Sequence, residues 1–101
     1  MNIHDQHHAI GNALQILSAD GIDPIGTRTE RSLGRGEIQI HGRADAIKIG
    51  AQWTVRGGGD GSYHLSHPLG NASVIVVLHL PGDRLYNRGD VVNLSSVGGA
   101  A

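Results

Sequence analysis

Apolar positions follow two different periods along the chain, and the change from one to the other falls near Gly36. Up to residue 20 the spacing is helical. Ile3, His7, Ile10, Leu14 and Leu17 recur at intervals of four and three, so they share one face, which Ala13 and Ile16 widen. His4, Asp5, His8, Asn12 and Gln15 fall largely on the other side. Asn2 is placed to cap the first turn, and Asp5 sits where a negative charge suits the helix dipole. Gly21 supplies a C′ stop, with Ile22 at C″ in reach of Leu17 at C3. The spacing predicts a helix over about 3–20.

Residues 22–36 keep no period and predict a connector, in which Thr29 could cap a single turn carrying Leu33. Fifteen residues is long for a connection in a compact domain, so the segment is expected to be either a functional loop or partly disordered. Beyond Gly36 the period is two. Ile38 and Ile40 alternate with Glu37, Gln39 and His41, and a turn is expected at 42–45. Ile47, Ile49, Ala51, Trp53 and Val55 then predict one long half-buried strand, ended by the glycine run 57–61. Tyr63 and Leu65 predict a shorter strand, followed by turn chemistry at Pro68, Gly70 and Asn71. From 73 to 80, Val74, Val76, Leu78 and Leu80 share one face, and Ile75, Val77 and His79 share the other. That pattern predicts a central strand covered on both sides. Pro81–Asp83 ends it. Leu85 and Tyr86, a turn at 87–90, and 91–94 predict a last hairpin, and 96–101 reads as a tail.

The predicted class is α+β. One N-terminal helix packs on a curved antiparallel meander of five or six strands, a small sheet or half-barrel, in a single domain of residues 1–101 with the meander over 37–95. The segment 37–41 and the last hairpin are the expected sheet edges. Neither is rich in Lys or Pro, the residues that usually blunt an edge.

Composition narrows the chemistry. The 101 residues contain no Cys and no Phe, so there is no disulfide frame, no thiolate nucleophile and no cysteine zinc site. The core must be aliphatic around Trp53. Residues 1–10 hold His and Asp where a signal peptide would need a basic and then an apolar region. The longest apolar run, 74–78, is far shorter than the roughly 20 residues that span a bilayer. The expected setting is therefore cytoplasmic or virion-associated, neither secreted nor membrane-bound. The formal charge of −1 argues against a general polyanion binder, although protonating all seven histidines would carry it to +6.

Three clusters could carry chemistry. His4 and His8 lie one helical turn apart, and with His64 they could furnish a metal site. The zinc-protease pattern is absent, because Gln6 follows Asp5 where that pattern has other residues. Arg28, Arg31 and Arg35 gather in the connector, with Glu30 the one acid between them and glycines on either side of Arg35. Guanidinium forks in such a loop grip carboxylates or phosphates. No aromatic lies in residues 1–52 to stack on bases, so an acidic protein surface is the expected partner and nucleic acid the alternative. The run 56–62 lacks the Gly-Lys-Ser/Thr ending of a phosphate loop. No catalytic set is legible, and no cofactor is expected.

These features predict a non-enzymatic protein–protein interaction module. By analogy of size and composition, the class is that of small phage-type accessory proteins: an inhibitor of a larger host complex or a virion assembly component. Arg28, Arg31, Arg35, Glu37 and Gln39 are the expected contact residues. A larger protein or a second copy of the chain is the expected partner. The alternative is metal binding through His4, His8 and His64, or nucleic-acid binding through the arginine loop.

Overall fold

The computed structural model describes residues 1–59, 61–80 and 85–95. The predicted tail 96–101, the turn at Pro81–Asp83 and Asp60 of the glycine run lie outside the described residues. The elements in chain order are α1 (Ile3–Ala19), β1 (Gly26–Arg28), β2 (Glu37–Gln39), α2 (Arg43–Ile49), β3 (Gln52–Gly59), β4 (Ser62–Leu69), β5 (Ala72–His79) and β6 (Val91–Asn93). The strands form one open sheet in the order β1-β2-β5-β4-β3-β6. This is an α+β architecture with an N-terminal helix and a small, mostly antiparallel sheet. Its residues divide into two compact units, 1–40 with 68–75, and 41–67 with the described residues from 76 to 95.

In the first unit α1 begins and ends where its local chemistry dictates. The Asn2 side chain accepts from the Asp5 N–H at 2.7 Å. At the other end the Ile22 N–H donates to the Leu17 carbonyl at 2.9 Å and the Gly21 N–H to Ser18 at 3.1 Å, with Gly21 at φ +73°. That is the expected Schellman stop, and Leu17 and Ile22 are both buried beside it.

The buried face of α1 is rotated from the predicted one. It consists of Gln6, Ala9, Ile10, Ala13 and Leu17, whereas Ile3 is 38% and Ile16 48% exposed. His7 is exposed and Leu14 only half-buried. The small alanines let other chain segments approach, and Gln6 can face inward because its polar groups find partners. Ile38 and Val74, opposite one another, are wholly buried.

Two pairings depart from a simple meander. β2 runs parallel to β5, and β1, inside the predicted connector, pairs antiparallel with β2. The segment 37–41 is therefore not an edge, because β2 has a neighbour on each side. The sheet edges are β1 and β6.

The connector ends in a tight approach within this unit. A Cβ on Gly36 would lie 2.6 Å from Ile10 Cδ1 and 2.9 Å from the Gln6 carbonyl oxygen. Gly36→Ala is expected to cost about 1–3 kcal/mol, by overpacking against a backbone atom that cannot swing away. Urea denaturation of the two proteins checks it.

In the second unit the predicted strand from Ile47 to Val55 is half helix. Residues 43–49 form α2, bounded by Gly42 and Gly50, with Asp45 in its first turn and Lys48 in its last, 3.8 Å apart. Alternation would place Ala46 and Lys48 on one outer face. The helix instead buries Ala46 completely and leaves Lys48 exposed. Two alanines and a charge pair suited to the dipole outweigh the β-preference of two isoleucines.

β3 then runs through the glycines to Gly59, with a register shift between Val55 and Gly57, and pairs with β4 and β6. Trp53, Val55, Tyr63, Leu65, Val76, Val92 and Leu94 are buried, so the core is aliphatic around Trp53 as composition requires. The Trp53 indole donates to the Gly50 carbonyl at 2.9 Å, and its ring lies 5.2 Å from that of His67. On β5, Val74 and Val76 are buried on one face. On the other, Ile75 is buried but Val77 is half exposed and His79 exposed, so cover on that side is partial.

Candidate functional site

The arginine connector is an ordered structure, held at its start, middle and end. At the start the Ile25 N–H donates to the Gln39 carbonyl at 2.8 Å; at the end the Ser73 N–H donates to the Gly36 carbonyl at 2.9 Å. The middle is fixed by Gln6, which is 0% exposed. Its carboxamide oxygen accepts from the Glu30 N–H at 3.0 Å. Its nitrogen donates to the carbonyls of Glu30 at 2.7 Å, Leu33 at 2.9 Å and Met1 at 3.1 Å. The Leu33 N–H closes a turn onto the Glu30 carbonyl at 3.1 Å. One buried side chain thus serves as a surrogate strand for a loop that has few backbone partners of its own. Leaving those loop groups unpaired and out of water would be costly.

This fixes how the three arginines are presented. Arg28, on β1, is engaged within the chain: it lies 2.8 Å from the Glu30 carboxylate and 4.0 Å from that of Glu37. Ser32 Oγ donates to the same Glu30 carboxylate at 3.3 Å. The Arg28–Glu30 pair is exposed on both sides and is worth about 0–1 kcal/mol. Arg31 and Arg35 are exposed and form no ion pair among the described residues. Glu37 is half-buried on β2, where it faces Arg28 in the register with β1. Gln39 is exposed on the same strand, with its side-chain oxygen near Gly26. Both residues belong to an interior strand, so their backbone is not open to a partner. On the adjoining edge β1 begins beside Ile25, which is 64% exposed.

The histidines are distributed differently. His4 and His8 are exposed on α1 and His64 is exposed on β4. Among the described residues no group of three or more His, Cys, Asp or Glu side chains is placed to hold a metal ion. His8 does border a cleft of about 440 Å³ in the first unit, together with Asp5 and Asn12 on α1 and Leu69 and Asn71 opposite.

Sequence reasoning missed Gln6, the residue that organises the site. The one available signal was its place on the Ile10–Ala13–Leu17 face with small residues at the next turns.

Comparison with protein-family models, with curated proteins and with solved structures finds no match. No helix among the described residues is long and apolar enough to cross a membrane.

Proposed function

We propose that this chain is a non-enzymatic protein-interaction module whose contact surface is the Arg31–Arg35 part of the connector, with the exposed Ile25 beside β1. The observation that supports this reading most is the Gln6 clasp. A loop ordered before binding does not lose its conformational freedom on association, so affinity is gained without additional contacts. The clasp holds a segment carrying two exposed guanidinium groups that no carboxylate of the described chain neutralises. Forked, permanently charged donors of this kind suit carboxylates on a protein surface. The partner is then a larger protein with an acidic patch, and the chain an accessory factor of phage type, either an inhibitor or an assembly component.

The test is crosslinked capture from native lysate with wild type and with the Arg31→Glu/Arg35→Glu double variant. Both substitutions lie on the surface, so folding stability should change by less than about 1 kcal/mol. A specific protein captured by wild type should be lost by the variant, with affinity falling by about two orders of magnitude. Equal capture by both proteins, or capture that nuclease treatment abolishes, would overturn the reading, the latter in favour of nucleic acid.

A further inference from the structure

We infer that the cleft between α1 and the turn joining β4 to β5 binds a primary ammonium group carried on a short apolar stem. The cleft belongs wholly to the first unit, and no arginine of the connector lines it. One wall is a stripe of α1. Asp5, His8, Asn12 and Ile16 follow at intervals of three, four and four, so they stand on one side of the helix. Ala9 and Ala13 lie deeper, at 7% and 2% exposure, and their small side chains leave the space beside them open. The other wall is the turn from Leu69 to Asn71. Gly70, at φ +60°, takes the left-handed conformation that a two-residue hairpin turn requires, and a strand holds the turn at each end. The volume of about 440 Å³ falls within the roughly 300–1,000 Å³ of small-molecule sites.

Charge decides which ligand fits. Among the described residues the side chains of Asp5, His8, Asn12 and Asn71 make no hydrogen bond or ion pair; the Asn2 cap engages only the Asp5 backbone N–H. Asp5 brings a carboxylate to the cleft, and no Lys or Arg lines it; the first such residue in the chain is Arg28. An anion would meet that carboxylate with no fixed cation to offset it. An ammonium carries three donors and no acceptor. The Asp5 carboxylate and the carboxamide oxygens of Asn12 and Asn71 supply acceptors from both walls. An apolar stem would then cover Ala9, Ala13, Leu69 and Ile16, the last of which is 48% exposed in the free chain. A free alkylamine and the lysine side chain of a protein offer this same group.

Four probes titrated into the isotope-labelled full chain test this by NMR: hexylamine, hexanol, hexanoate and N-acetyl-lysine methylamide. Hexylamine should shift the amides of residues 5–16 and 69–71 and bind about fivefold more tightly than hexanol, with hexanoate weaker than either. Asp5 is exposed and its side chain caps nothing, so Asp5→Asn should keep the fold and remove the advantage of the amine over the alcohol. Ile16→Ala should weaken both. Arg31→Glu/Arg35→Glu should bind hexylamine like wild type, which separates this outcome from that of the connector reading. N-acetyl-lysine methylamide binding as tightly as hexylamine assigns the site to a protein lysine, and weaker binding assigns it to a free amine; both support the ammonium site. Equal affinity of hexylamine and hexanol for wild type, an amine preference that survives Asp5→Asn, shifts that map elsewhere, or no binding would overturn the inference.

Discussion

Gln6→Glu should lower the stability of this protein by about 3–5 kcal/mol, in a change that alters almost no volume. The Gln6 nitrogen donates to three backbone carbonyls, those of Met1, Glu30 and Leu33. An ionised carboxylate in its place would face three acceptors with no proton to offer, inside a site that is 0% exposed. Breaking a buried polar network in this way carries both the lost bonds and the desolvation of the new charge. Gln6→Ala removes the same bonds and leaves a cavity as well, at a cost of about 2–4 kcal/mol. Because the bonds run from α1 to the connector, the loss should be uneven. Residues 28–36 should loosen before the sheet does. Denaturant unfolding gives the magnitude, and residue-resolved hydrogen exchange gives the location.

Trp53→Ala should be as severe, at about 3–5 kcal/mol. Trp53 is 1% exposed and is the largest side chain of a core without phenylalanine, in which Tyr63 is the other buried aromatic. Its removal leaves a void among aliphatic side chains and strands the Gly50 carbonyl that now accepts from the indole at 2.9 Å. It also strips the ring against which His67 rests, while His67 Nδ1 keeps its 2.9 Å contact with the Gln52 carbonyl. A small domain has about 5–15 kcal/mol in total, so the variant should be largely unfolded well below the wild-type melting temperature. Trp53→Phe refills most of the space and should cost no more than about half as much, chiefly through the unpaired carbonyl. A calorimetric comparison of the three proteins checks both values.

What could be read along the chain was what is decided locally. The Asn2 cap and the Leu17–Gly21–Ile22 stop depend on residues within one turn of each other, and both formed as expected. The aliphatic core around Trp53 followed from composition. Non-local decisions could not be read. Gln6 is buried because Glu30 and Leu33, 24 and 27 residues away, present bare backbone to it. An amphipathic projection can only score such a residue as polar. The parallel β2–β5 pair joins segments separated by more than thirty residues, and no periodicity encodes that choice. The α2 segment was misleading for another reason. Over seven residues, Ile47 and Ile49 satisfy a strand pattern as readily as a short helix, and the burial of Ala46 decided between them.

The candidate site divides along the same line. Charge and spacing singled out Arg28, Arg31 and Arg35, but only the fold distinguishes Arg28, paired with Glu30 and Glu37, from the two exposed arginines. Glu37 and Gln39 lie in the segment 37–41 that alternation marks as an edge, but β1 pairs with it and covers their backbone.

The Gln6 clasp orders the connector before any partner arrives. Amide hydrogen exchange of the isolated chain tests it most directly. The Glu30 and Leu33 amides, which donate to Gln6 and to the Glu30 carbonyl, should be protected in wild type. They should be protected equally in Arg31→Glu/Arg35→Glu and should lose protection in Gln6→Glu. Exchange of these two amides at the rate of an unfolded chain, while the α1 amides of the same wild-type sample remain protected, would contradict the account.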